Sequence, residues 1–124
     1  MQKDPIVIVG AARTPMGSFQ GSLADLKAPQ LGGHSIKAAM IRSGVPAEDI
    51  QDLIMGLCLF AGVKQAPARQ AAHNAGIPWS AGATTISKMC GSAMKATMLA
   101  HDNILAGSHK IMIAGGMESM SNAP

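Results

Sequence analysis

Ala83-Thr84-Thr85-Ile86-Ser87-Lys88-Met89-Cys90-Gly91-Ser92, continued by Ala93-Met94-Lys95-Ala96-Thr97-Met98-Leu99-Ala100-His101-Asp102-Asn103-Ile104-Leu105-Ala106-Gly107, reads as a strand, a tight turn and a helix. Thr and Ile fill the opening Ala83–Ser87 stretch, as side chains that pack well on a pleated sheet do. From Ser92 the residues Met94, Met98, His101 and Leu105 recur at helical spacing, and Gly107 ends the run. Lys110–Ala114 then forms another apolar run leading into Gly115-Gly116. A strand, a helix and a second apolar strand in succession make the unit from which parallel sheets are built.

Upstream the alternation repeats. Ile6-Val7-Ile8-Val9 is a continuous β-branched run ended by Gly10, which predicts a strand buried on both faces. Ala11–Gly21 holds Arg13-Thr14-Pro15 and several glycines and reads as a loop. From Ser35 the residues Ile36, Ala39, Met40 and Ile41 predict a short helix stopped by Gly44 and Pro46. Ala47-Glu48-Asp49 opens a brief turn before the apolar run Leu53–Leu59. Pro67 suits a first helical position, with Ala68–Ala75 as the helix and Gly76 closing it. The expected class is α/β: a layered α/β/α sandwich with a mostly parallel central sheet, in one domain over residues 1–124. The Ser92–Ala106 helix is apolar nearly all round, which predicts burial from several sides. That expectation, and an end in mid-loop at Ser121–Pro124, lead to a domain that is incomplete within these 124 residues.

Composition narrows the classes. Hydrophobic residues make up 48% of the chain and charged ones 14%, a globular balance with a surface expected to be partly covered. The net charge of +3 comes from scattered Lys and Arg, and the only aromatics are Phe19, Phe60 and Trp79, so no nucleic-acid surface is expected. No apolar stretch approaches a bilayer span, so no membrane partner is expected either. Cys58 and Cys90 form no CxxC pattern and no signal peptide precedes them, so a reducing compartment is the expectation: cytoplasmic, or an organelle matrix. His34, His73 and His109 have no partners at metal-ligand spacing, and no metal site is expected.

Cys90 is the residue most able to carry chemistry. At a helix N-terminus the partial positive charge favours a thiolate, lowering the thiol pKa. Unpaired N–H groups of the first turn can stabilise an oxyanion, and Gly91 leaves room for a substrate. On this local pattern alone a nucleophile and a cysteine used as a small hydrophobe both remain open. Leu57-Cys58-Leu59 sits at the end of an apolar run and reads as core. His101, about three turns beyond Cys90, lies too far along the helix to be its base and reads as a hydrogen-bonded core histidine. Gly10 opens no GxGxxG motif, and no P-loop is present.

Lys88-Met89-Cys90-Gly91-Ser92-Ala93-Met94-Lys95-Ala96 resembles the segment around the acyl-accepting cysteine of thiolases. Further stretches resemble the same family in the same order: Arg13-Thr14-Pro15-Met16-Gly17-Ser18-Phe19, then Gln65-Ala66-Pro67-Ala68-Arg69-Gln70-Ala71, then Ala100-His101-Asp102. The last is Gly115-Gly116-Met117-Glu118-Ser119-Met120-Ser121-Asn122-Ala123-Pro124. The resemblance covers essentially the whole chain. Family members usually carry Gly at the position of Ala93, and differ at Leu57 and Phe60.

The resemblance implies an acyltransferase that forms or cleaves 3-ketoacyl-CoA through a thioester on Cys90, the acyl carrier. Its substrates would be acetyl-CoA and other acyl-CoA thioesters, with no tightly bound cofactor. It also implies that an activating histidine, a second catalytic cysteine and the coenzyme-A-gripping loop lie beyond residue 124. The 124 residues alone are then expected to be inactive, and no coenzyme-A-binding residue is assigned here. Glu118 is implied in an ordering role, with structural hydrogen bonding the leading reading. Homodimers or homotetramers are implied for the full-length protein. The alternatives are a non-catalytic or scaffold module of the same fold, and a sibling condensing enzyme of the ketosynthase kind, against which Gly115–Met120 argues.

Overall fold

The computed structural model describes residues 4–124; Met1–Lys3, the start of the expected domain, lie outside the described residues. In chain order the elements are α1 (Ala28–Ser43), β1 (Asp52–Gly56), α2 (Pro67–Asn74), β2 (Thr84–Ile86), α3 (Ser92–Leu105) and β3 (Met112–Gly116). Short 3-10 turns lie at Ala47–Asp49 and Met120–Asn122. The strands form a parallel sheet in the order β2-β1-β3, with Gly56 opposite Ile86 on one side and Gly116 on the other. The carboxyl ends of all three strands are therefore level.

Strand β1 divides its side chains between two layers, because successive residues point to opposite faces. Leu53 and Met55, with Leu57 just beyond, join the core formed with α1 and α2, where Ile36, Met40, Ala68, Ala71 and Ala72 are buried. Gly56 faces the other way, against the first turn of α3. Each fully buried Leu or Met contributes roughly 1.5–3 kcal/mol over leaving it in water. The result is the expected sandwich: α1 and α2 on one face of the sheet, α3 on the other.

Helix α1 begins well before the predicted Ser35, since Gly32 and Gly33 look like helix breakers in sequence. Both are needed for close packing instead. A Cβ on Gly32 would lie 2.7 Å from Met117 Sδ, and one on Gly33 would lie 2.6 Å from Asn74 Cβ of α2. Gln30 closes the first turn by accepting the Lys27 N–H at 2.8 Å. Gly44, in the left-handed region at φ 71°, ends the helix by donating to Met40 and Ile41 carbonyls.

Two expectations fail. The Ile6–Val9 run forms no strand, and Val7, Ile8 and Val9 are 70%, 82% and 62% exposed. A strand requires a ladder. Here the sheet is made of β2, β1 and β3, and Ile6–Val9 enters no ladder with them; residues of Ile6–Ala12 and of Ile111–Gly116 line a groove of about 520 Å³. Instead the segment just after Ile6–Val9 is pinned by contacts with α1: Gly10 against Ala39 and Ser43, and Ala11 O accepting from Arg42 Nη1 at 2.8 Å. Likewise α3 is buried only along its small side, Ser92, Ala96 and Ala100, while Met94, Met98 and Leu105 are exposed. Close approach to the sheet admits alanine but not methionine, and this sets which face is covered.

Candidate active site

The turn between β2 and α3 holds Cys90 at the protein surface. Gly91 N–H donates to Lys88 O and Ser92 N–H to Met89 O, both at 3.1 Å, which winds the chain directly into the helix. To do this Met89 adopts φ 49°, a left-handed conformation that costs a side-chain-bearing residue about 1–2 kcal/mol. Among the described residues no backbone carbonyl accepts the N–H of Cys90, Ala93 or Met94. Gly91, at the N-cap position, supplies no capping side chain. These donors therefore remain without a backbone acceptor in the Cys90 turn and the first turn of α3, the end of the helix where partial positive charge collects.

Two glycines draw α3 down onto the sheet. A Cβ on Gly56 would lie 2.5 Å from both the carbonyl carbon and Cβ of Ser92. A Cβ on Gly116 would lie 2.7 Å from Ala93 Cβ, so the absent side chain there makes room for the alanine. Ser92 is 5% exposed and its hydroxyl is fully engaged. Oγ donates to Met89 O at 2.6 Å, accepts the Lys88 N–H at 2.8 Å and lies 3.9 Å from Cys58 Sγ. Sequence reasoning passed over this residue. A serine at the start of a helix reads as a cap for that helix, whereas here the hydroxyl turns back to the loop before it.

Cys58 and Glu118 complete the wall. Glu118 accepts the N–H of Cys58 at Oε2 and that of Leu59 at Oε1, each at 3.0 Å. Its carboxylate thus organises the loop after β1, in keeping with the structural role expected of it. Desolvation raises the Cys58 thiol pKa above the ordinary value, and the Glu118 carboxylate adds to this despite the hydrogen bond with Ser92. Cys58 is half-buried at the rim rather than a full core residue. The signature stretch after β3 ties down the Gln20–Leu26 region: Ser121 Oγ accepts from Gln20 N, and Asn122 Nδ2 donates to Ala24 O and Leu26 O. A cavity of about 510 Å³ is lined by Cys90, Cys58, Ser92, Glu118, Leu57 and the Ala12–Phe19 loop.

The remaining sequence candidates lie elsewhere. His101 is hydrogen-bonded, as expected, but on a half-exposed face and not in the core: Nε2 meets Asp4 Oδ2 at 2.8 Å and Nδ1 meets Asp102 Oδ1 at 3.4 Å. The Asp4 bond, followed by the Asp102 bond, raises the His101 pKa above 6.5. His73 stacks on Trp79 with ring centroids 4.7 Å apart, and His109 lies 3.5 Å from Asp52. Among the described residues no group of three His, Cys, Asp or Glu side chains is placed to hold a metal ion. Leu57 is buried at the cavity wall and Phe60 is exposed.

Residues 6–124 match the family described as thiolase, N-terminal domain. The chain is 52% identical over 119 residues to the mitochondrial acetyl-CoA acetyltransferase B of Xenopus laevis, covering 96% of this chain and 28% of the relative. It is 55% identical over 119 residues to the acetyl-CoA acetyltransferase of Cupriavidus necator, covering 96% of this chain and 30% of that one. A related acetyl-CoA acetyltransferase of Gibberella zeae, 50% identical over 120 residues, covers 97% of this chain and 30% of its own and is named cytosolic. Among solved structures, the Acat5 thiolase of Ascaris suum in complex with coenzyme A superposes with a TM-score of 0.92 at 43% identity, over 94% of this chain and 31% of that one. The chain spans less than a third of the length of these relatives. With its layered α/β fold, its cysteine elbow and this similarity along nearly its whole length, the chain belongs to the thiolase family, whose N-terminal domain it represents.

Proposed function

We propose that this chain is the nucleophile-bearing domain of an acyltransferase that makes or cleaves 3-ketoacyl-CoA, with Cys90 as the acyl carrier. The observation that carries the reading is the exposed Cys90 in a cavity of about 510 Å³, next to unpaired first-turn N–H groups of α3. In the first half-reaction the Cys90 thiolate adds to the carbonyl carbon of an acyl-CoA thioester. The negative charge that develops on the carbonyl oxygen suits an N–H donor. Collapse breaks the carbon–sulfur bond to coenzyme A, which leaves as its thiolate, and the acyl group stays on Cys90 as a new thioester. In the condensing direction the α-carbon of acetyl-CoA, having lost a proton to a base, then attacks the acyl carbon; the bond from that carbon to the Cys90 sulfur breaks, and Cys90 leaves as its thiolate with 3-ketoacyl-CoA released. Cleavage is the reverse: Cys90 thiolate adds to the 3-keto carbon, the carbon–carbon bond breaks to release acetyl-CoA after its α-carbon regains a proton, and coenzyme A thiolate takes the acyl group as the bond to Cys90 breaks.

No resident cofactor enters this scheme, because the thioester is already activated and a thiolate leaves readily. The base, the second thiol and the coenzyme-A grip belong, on this reading, to a further region of polypeptide working with the 1–124 domain. The working enzyme is a homodimer or homotetramer. Its compartment is the cytoplasm or an organelle matrix; relatives are named as mitochondrial and as cytosolic, and no helix of the described residues is long and apolar enough to cross a membrane.

Intact-mass measurement after incubation of the full-length protein with acetyl-CoA tests the reading. A gain of one acetyl group on Cys90, absent from Cys90→Ala, is expected. An adduct persisting in Cys90→Ala would remove Cys90 from the mechanism. Absence of any adduct in the unsubstituted protein would return Cys90 to the status of a small surface thiol on a binding or scaffold module.

A further inference from the structure

The acyl-transfer scheme uses Cys90 and gives Ser92 no part, yet Ser92 carries the densest polar network near the sulfur. We propose that the Ser92 hydroxyl is a positioning group for acyl transfer, holding Met89 in its left-handed conformation and thereby fixing where Cys90 and its neighbouring N–H donors stand. The assignment rests on the reading of Cys90 as the nucleophile.

A serine hydroxyl has one proton to donate and two lone pairs to accept with. At Ser92 the proton goes to Met89 O at 2.6 Å. One lone pair takes the Lys88 N–H at 2.8 Å. Cys58 Sγ lies beside the remaining side of the hydroxyl, 3.9 Å from Oγ. The hydroxyl thus grips Met89 at its own carbonyl and at the residue before it, the two points that bracket φ 49°. Release of that grip lets Met89 relax toward the right-handed region, and such a relaxation rotates the next residue, Cys90.

The surroundings give the hydroxyl a fixed point from which to act. Ser92 is the buried first residue of α3, seated against the backbone of Gly56. Its third partner, Cys58, belongs to the loop whose N–H groups are gripped by Glu118. The chain of contacts therefore runs from the end of β3 through Glu118, Cys58 and Ser92 to the Cys90 turn. Ser92 lines the cavity together with Cys90, but its hydroxyl proton is committed to Met89 O and a lone pair to the Lys88 N–H, so its role is positional.

The test compares two reactions of the same sulfur in the full-length protein. Acyl transfer from acetyl-CoA needs the sulfur and its N–H donors in register, whereas alkylation by iodoacetamide needs only an accessible thiolate. Ser92→Ala is expected to slow Cys90 acetylation at least about tenfold while leaving alkylation, at a pH that fully ionises the thiol, within about twofold. A Met89→Gly background should shrink the acetylation loss, since glycine takes φ 49° without a steric penalty. Circular dichroism and thermal unfolding report whether each variant is folded.

Unchanged acetylation in folded Ser92→Ala overturns the proposal, as does an equal fall in both reactions, which marks a purely structural residue. A loss of the same size in the Met89→Gly background also overturns it. If the unsubstituted protein acquires no acetyl group on Cys90, the nucleophile reading fails first, and the positioning role falls with it.

Discussion

Gly56→Ala places a methyl group where the structure has no room for it. The added Cβ would lie 2.5 Å from the Ser92 carbonyl carbon, 2.5 Å from Ser92 Cβ and 2.8 Å from the Ala93 nitrogen. Comfortable carbon contacts lie at about 3.5–4.0 Å, so β1 and the first turn of α3 must separate by about 1 Å. Two of the three obstructing atoms are backbone, and no rotamer change relieves them. Overpacking of this kind costs about 1–3 kcal/mol. The lower chain entropy of alanine in the unfolded state returns about 0.4–1 kcal/mol. A net loss of about 1–2 kcal/mol translates into a fall in Tm of at most about 2–8 °C in a full-length protein longer than this chain.

The same 1 Å shift moves the Cys90 turn, and displacements of that size cost up to about a hundredfold in rate when they disturb reacting groups. The assay pairs thermal unfolding with the rate of Cys90 acetylation by mass spectrometry, both on the full-length protein. Gly44→Ala is the control. It strains the left-handed cap of α1 at φ 71° in open space, far from Cys90, so it should lower Tm without slowing acetylation. Acetylation of folded Gly56→Ala at the unsubstituted rate would refute the claim that close strand–helix packing sets the position of Cys90.

The tether between Asp4 and His101 should follow pH in a defined window. His101 gains a raised pKa, so its contribution is complete below pH 6.5 and is lost as pH rises through the raised value. Asp4 is held below 3.8, first by the Ile6 N–H and then by His101, so its contribution is complete above pH 3.8 and is lost as pH falls through the lowered value. Amide protection at Ile6–Val9, taken as the exchange rate relative to the intrinsic rate at each pH, should therefore be greatest between these limits and lose its pH dependence in Asp4→Asn. Protection indifferent to pH in the unsubstituted protein would dissociate the segment from the pair. The two thiols should also separate: at neutral pH a limiting amount of iodoacetamide should label exposed Cys90 ahead of Cys58, whose pKa is raised. Glu118→Gln, which removes the neighbouring negative charge, should bring Cys58 labelling forward in peptide maps, and no change would exclude Glu118 as a cause.

Elements governed by local chemistry were legible in the sequence. Pro67 and the alanines after it mark α2, Thr84–Ile86 lies within the Ala83–Ser87 run read as a strand, and Met112–Gly116 overlaps the Lys110–Ala114 run and continues through the two glycines after it. The misreadings share one cause: a residue type was given its average meaning where a distant partner decides. Ile6–Val9 has the composition of a strand but pairs with neither edge of the β2-β1-β3 sheet. Gly32-Gly33 looks like a break until α2 and Met117 are seen to need the space. The methionines of α3 suggest burial, yet the sheet accepts only the alanine side. At the site Cys90 stood out because strand, turn, glycine and helix are adjacent in sequence. Ser92 did not, since its significance lies in the direction its hydroxyl takes. Glu118 reaches a loop 60 residues away, a contact that no local pattern encodes.

The parallel sheet explains why these residues meet. In open α/β sheets, ligand sites form beyond the carboxyl ends of the strands, where the chain leaves the ladder. Here β1 runs into Leu57 and Cys58, β2 into the Lys88–Cys90 turn, and β3 into Met117 and Glu118, and all of these residues except Lys88 line one cavity. The strand ends are level because their register aligns Gly56 with both Ile86 and Gly116. Glycine at the last position of β1 and β3 then lets the start of α3 settle onto that rim, which turns an ordinary helix N-terminus into one with a cysteine ahead of it and unpaired donors behind. A bulkier residue at either strand end would leave the hydrophobic core nearly intact and still displace Cys90. The small-residue composition that makes this chain look unremarkable is thus concentrated where packing and proposed chemistry depend on the same few tenths of a nanometre.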